Sequence, residues 1–153
     1  MQKAGLTLIR VFIGLFFVGE AFNKRHWLAD PSVLSGIFAR WLADADAGSV
    51  LLSKWYLENV AIPGTHVFAY LVPIGELSVG TALIAGVGMP FVAILAFFMT
   101  LNYNVASGAL FRQTILTNGN VIPMLGTTLG LAVSAMQDRS LLGVFGMGLI
   151  KKG

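Results

Sequence analysis

Four apolar runs, at about residues 4–22, 66–87, 90–111 and 118–136, are each long enough, or nearly so, to cross a hydrocarbon layer of about 30 Å at about 1.5 Å per helical residue. The last is the weakest. Of the residues in this chain 56% are hydrophobic and only 11% charged, where an ordinary soluble domain carries about 25% charged residues. The expected fold class is therefore all-α: an integral membrane four-helix bundle with a long, partly helical loop between the first and second transmembrane helices. No composition shift or internal repeat divides the chain, so residues 1–153 read as a single transmembrane domain. The first run is too long and too charged for a cleaved signal peptide and is kept as structure. The lipid bilayer is the first expected partner.

Between the second and third runs lies only GVGMP, a turn that makes those helices antiparallel neighbours. The long connection, residues 23–65, holds all three tryptophans. In DPSVLSGIFARWLADADAG, Asp30 can cap a helix with Pro31 in its first turn, and Val33, Leu34, Ile37, Phe38, Trp41 and Leu42 form one apolar stripe. Such a helix lies on the membrane surface or caps the bundle. Trp55 and Tyr56 follow shortly before the second run, at headgroup level. The tail SLLGVFGMGLI is about half a span long and reads as interfacial. Charge does not set the orientation, because Lys3, Arg139, Lys151 and Lys152 on one side face Lys24, Arg25, Arg40, Lys54 and Arg112 on the other.

Arg10, Glu20 and Glu76 are the charged residues within the four runs. A charge at mid-bilayer costs about 2.5 to 3.5 kcal/mol on insertion scales, so each needs a partner or an escape to water. Glu20 has Lys24 four residues on, the favourable order for a helical ion pair. Arg10 shares a helical face with Gly14, Phe17, Ala21 and Lys24, a face that looks into the bundle unless Arg10 snorkels to the near surface. Glu76 sits centrally in LVPIGELSVGTALIAG and cannot escape. With the first two spans antiparallel, Glu76 lies about 15 Å and Arg10 about 9 Å from their shared surface, and the two are expected to pair. Such a pair either fixes helix register or holds protons beside a redox or carrier site. Pro73, Asn102, Tyr103 and Asn104 add polar groups that glue helices or line a pocket. Gly126, Gly130 and Ser134, with Ala82 and Gly86, supply the small-residue spacing of close helix packing.

His26 and His66 fall at the loop-bearing surface, which argues against haem or chlorophyll ligated in mid-membrane by this chain alone. Proton exchange with a quinone headgroup would suit them. The chain has no cysteine, so thiolate metal sites, iron–sulfur clusters and thiol relays within it are excluded, and no metal is expected. Scattered basic residues and a net charge of +3 give no support for nucleic acid binding.

LIRVFIGLFFVGEAFNK, with Arg10, Gly14, Phe17, Gly19 and Lys24, resembles the first helix of the DoxX family, and WY followed by FAYLVPIGELSVGTALIAG, with Glu76, Gly80 and Gly86, is similar to its second. The resemblance extends over nearly the whole chain. It implies a membrane subunit of a quinone-linked oxidoreductase, in the manner of the thiosulfate:quinone oxidoreductase subunit DoxD, working with a second protein subunit. It further implies a prokaryotic inner membrane with both termini cytoplasmic. On that reading Glu76 and Arg10 are catalytic, and Lys24, His26, His66, Asn102 and Arg112 bind quinone or substrate. The rival is a non-catalytic accessory subunit that docks partners in a larger respiratory or photosynthetic complex; small-solute transport lacks the paired repeats expected of it.

Overall fold

A computed structural model of the chain describes residues 2–48, 50–116 and 121–137. The apolar tail, Asn118, Arg139, Lys151 and Lys152 lie outside the described residues. Within them every regular element is helical, in the order α1 (Gln2–Asn23), a 3₁₀ turn (Arg25–Leu28), α2 (Ser32–Ala47), α3 (Leu51–Tyr56) running into a π-helical turn (Leu57–Ala61), α4 (Thr65–Ala85), α5 (Met89–Ala106), two further 3₁₀ turns and α6 (Val121–Gln137). Three helices are long and apolar enough to cross a membrane, over Ala4–Asn23, Thr65–Ala85 and Met89–Ala106. The fourth apolar helix, α6, is shorter at 17 residues. The outward faces carry large apolar side chains such as Phe12, Leu71, Phe91 and Phe98, as contact with lipid requires. The chain is a multi-pass helical membrane protein.

The third run is shorter than its composition implies. Helix α5 stops at Ala106, and Gly108 at φ +70° turns the chain, so the apolar residues up to Phe111 lie in a 3₁₀ turn. At the other end the expected turn is present: Gly86 (φ +77°) caps α4 in the left-handed conformation that glycine tolerates, and Gly88 (φ +62°) precedes α5.

Helix α1 packs chiefly on α4 and α5 on α6, with α4 against α5 and α1 against α6 completing the ring. The α1–α4 contact is backbone-close at one point. A Cβ on Gly80 would stand 2.7 Å from the Gly14 carbonyl oxygen, and one on Gly14 would stand 2.8 Å from that of Gly80. These two glycines make the small-residue crossing that was expected of Gly126, Gly130 and Ser134 in α6 and of Ala82 and Gly86 in α4. By contrast Gly126 and Gly130 have nothing within 4 Å of where a Cβ would be, and they face outward. Four-residue spacing of small residues marks a face, and only packing decides whether that face is used.

The connection from α1 to α4 is a lid. Asp30 Oδ1 accepts the Ser32 N–H at 3.0 Å, and α2 begins one residue later than the sequence suggests, with Pro31 at the cap and Asp30 just before it. The expected apolar stripe turns down onto the bundle: Leu34 and Phe38 are buried with Trp27, Leu57, Ala61, Ala69 and Ala106. The π turn brings Leu57 and Ala61 into that cluster together. Three contacts fasten the lid to α5: the Ser53 hydroxyl donates to the Val105 carbonyl at 2.6 Å, the Asn102 amide donates to the Tyr56 hydroxyl, and Trp41 stands edge-to-face on Tyr103 at 5.2 Å. This fixes the lid over the upper ends of α1, α4 and α5.

Candidate functional site

The charge at Glu76 is met from above. Lys24, one residue past the end of α1 and only 7% exposed, folds back into the bundle. Its ammonium donates to Glu76 Oε1 at 2.8 Å and Oε2 at 3.0 Å, and to Glu20 Oε2 at 2.7 Å. The Lys24–Glu20 pair is the expected helical one. The Lys24–Glu76 pair replaces the expected pairing of Glu76 with Arg10. The glycine crossing sets this register: with Gly14 against Gly80, Arg10 comes level with Gly86, and ten residues of α4, about 15 Å, separate it from Glu76. There the Arg10 guanidinium lies against Gly86, at the C-terminal end of α4, where a cation suits the helix dipole. A Cβ on Gly86 would overlap it. The Arg10 Nε is buried without a hydrogen-bond partner among the described residues.

Trp27 holds Lys24 from the lid side, its ring centre 5.8 Å from Nζ, within cation–π reach. Phe17 and Val79, buried below, keep water from entering at that level. Glu20 is the outer member of the cluster, with its side chain 35% exposed against 11% for Glu76. A buried lysine between two carboxylates leaves one negative charge in formal excess, so the group is poised to exchange a proton or to accept a donor from a ligand.

The cluster forms one end of a cavity of about 480 Å³ between α1, α4 and α5 under the lid. Aromatic rings line it: Phe17, Trp27, Phe38, Trp41, Phe68 and Tyr103. Its polar lining beyond the ion cluster is Thr100, Asn102, Asn104 and Tyr56. Asn104 is 4% exposed and gives one amide hydrogen to the Thr100 carbonyl at 2.8 Å, which leaves its second amide hydrogen and its Oδ1 for a ligand. Apolar walls with few convergent polar groups are the general character of a small-molecule site.

The expected site residues are thus divided. Glu76, Lys24 and Asn102 meet in this cavity. Arg10 stands at the far end of the α1–α4 seam. His26 is exposed, its ring edge-to-face on Trp27 at 6.3 Å. His66 is exposed in a separate shallow groove with Asp30, Ser32 and Ser35, between the starts of α2 and α4. Arg112 is exposed and reaches Asp44 at 3.3 Å. The basic residues of the lidded face do not converge on an anion either: Lys54 pairs with Asp46, Arg40 turns to the Gly36 carbonyl and Arg25 to that of Phe22. Asn104, read from the sequence as helix glue or pocket lining, does line the cavity, whereas Trp27, Trp41 and Thr100 are among the cavity residues left without a site role by the sequence. For Asn104 the signal was present, since Thr100 and Asn104 are four apart and share one helical face.

Fold and cavity together define a helical multi-pass membrane protein with a ligand-sized chamber whose lining includes an ion cluster. The DoxX family model matches residues 5–107, from α1 to the end of α5, and the chain belongs to the DoxX family. No curated protein and no solved structure matches it. The match leaves α6 outside, so the family likeness is narrower than the whole-chain resemblance read from the sequence.

Proposed function

We propose that this DoxX-family protein is the membrane subunit of a quinone-linked oxidoreductase, and that the cavity between α1, α4 and α5 receives the quinone headgroup. The observation that carries the reading is the Lys24–Glu76–Glu20 cluster at the end of a ring-lined chamber. A flat dicarbonyl ring suits walls made of Phe17, Trp27, Trp41 and Tyr103, by offset or edge-to-face contact. One carbonyl would take the second amide hydrogen of Asn104 and the other a proton held by Glu76, because the three Lys24 hydrogens already go to Glu76 and Glu20. A bound quinone supplies a two-electron, two-proton acceptor. Glu76 is the group that holds a proton next to it, and Glu20 is the member of the cluster that reaches toward water. Helix α6 crosses the membrane as the fourth span, which puts both termini on one side, the cytoplasmic side of a prokaryotic inner membrane, with the lid outside. A second subunit oxidises the donor, thiosulfate or a related sulfur compound, because this chain has no cysteine to carry sulfur.

Glu76→Gln tests this. In membranes containing the partner subunit the variant should fold, assemble and lose thiosulfate-dependent quinone reduction; retained reduction would remove Glu76 from the reaction. A second reading, a non-catalytic accessory subunit, draws on the outward small-residue face of α6 at Gly126 and Gly130. It expects gentle purification from the native membrane to yield a large complex and no quinone bound to this chain.

A further inference from the structure

The cavity has a roof and a side. On the lid side the cavity is lined by the buried Trp27, Leu34 and Phe38 and the half-buried Trp41, and the lid is tied down to α5. The side differs. Along the seam between α4 and α5, the lining includes Leu71, Leu95 and Phe98, which are 59%, 51% and 57% exposed on the faces that meet lipid. Toward the lid, the Tyr56–Asn102 hydrogen bond ties the lid to α5 beside the seam. Away from the lid the seam is closed by packing of Val79 and Leu83 against Val92, Ala96 and Met89. Between these two points stands Gly75, where a Cβ would touch the Met99 methyl at 3.3 Å. A glycine facing a flexible thioether makes a close but yielding point of the seam.

We propose that the cavity is loaded sideways from the hydrocarbon layer through the α4–α5 seam, and that Gly75 and Met99 set the width of this portal. The occupant is an amphiphile with a compact polar ring and a long apolar tail: the ring goes to Glu76 and Asn104, and the tail leaves between Leu71 and Phe98 into the bilayer. The proposal rests on the quinone reading for the identity of the ring. The route itself rests on the lid being tied down to α5 and on the lipid-facing Leu71, Leu95 and Phe98 in the cavity lining.

Two of the three tryptophans, Trp27 and Trp41, line the cavity, while Trp55 is 56% exposed outside it. In a Trp55→Phe background reconstituted into lipid nanodiscs, tryptophan quenching reports entry directly. A long-tailed ubiquinone and a tail-less dimethoxy-methyl-benzoquinone are titrated against the parent, Gly75→Phe and Phe98→Ala. We expect Gly75→Phe to weaken the long-tailed quinone at least tenfold and to leave the tail-less ring within twofold. Phe98→Ala, a change on an exposed face that should not disturb folding, is expected to speed association of the long-tailed quinone about threefold and leave the tail-less one unaffected. Nanodiscs with brominated acyl chains should quench Trp27 and Trp41 less in Gly75→Phe than in the parent. Equal loss of both quinones in Gly75→Phe, or no change of the long-tailed association rate in Phe98→Ala, overturns the portal while leaving the quinone reading standing. Binding of neither quinone to the parent overturns the quinone reading and the portal's tail assignment with it.

Discussion

The two ends of the α1–α4 seam each hold a cation, Lys24 buried and Arg10 half-buried, and they do so in opposite ways. At one end Arg10 is placed against the last turn of α4 and Gly86, where the helix terminus supplies the complementary field. At the other end Lys24 is placed between Glu76 and Glu20, two full charges, and covered by Trp27. The first arrangement sets one cation against a helix end, away from the cavity under the lid. The second needs three ionisable groups in one buried place, leaves an excess of negative charge, and opens onto a cavity. A helix terminus satisfies a cation within the fold, whereas a carboxylate cluster creates a chemically incomplete centre, and that difference is what separates a brace from a site.

The largest expected effect is at the Lys24 end. Lys24→Met leaves Glu76 buried without its cation and should cost about 3–5 kcal/mol, the usual range for breaking a buried pair from one side. Denaturant or thermal unfolding in detergent measures it, and the double variant Lys24→Met with Glu76→Gln should recover a large part of the loss. Strict additivity would show that the two groups are not coupled and would dissolve the contrast between the ends. At the Arg10 end, Gly86→Ala meets both a left-handed backbone and the guanidinium, and about 1–2 kcal/mol is expected. Combining it with Arg10→Ala should relieve the overlap part and leave the backbone part. Quinone binding should be unaffected by either change at this end; a change there would make Arg10 part of the site after all.

The smallest effect is in the lid. The Asp30 carboxyl is held below its ordinary range by the hydroxyl and backbone N–H of Ser32. Its folded value is the lower one, so its contribution is present above the unfolded carboxylate range and is lost as the pH falls through the folded value. Asp30→Ala should therefore speed amide exchange in the first turn of α2 near neutral pH, and the difference from the parent should vanish in acid. Global unfolding should not move.

Much of the framework was legible in the sequence. Run length and the scarcity of charge specify the spans, GVGMP the hairpin, and Asp30 with the Val33-to-Leu42 stripe the lid helix, because each is set by local backbone geometry and burial. The helical face that carries Arg10 also carries Gly14 and Lys24, so the inward direction of Lys24 was there to be read. Its partner was not. Position in the chain makes Lys24 look like a solvated helix-exit lysine, and depth arithmetic allowed Arg10 to meet Glu76.

What the sequence alone determined, then, is which residues must find partners: Glu76 because no side chain of its length reaches water from mid-helix, and Arg10 because of its inward face. Tertiary structure decided which partners they find. The Gly14–Gly80 crossing fixes the register of α1 on α4, and a shift of one turn, about 5.4 Å, exceeds what an ion pair tolerates. Once that crossing is set, Lys24 reaches Glu76, Arg10 reaches Gly86, and the cavity under the lid follows.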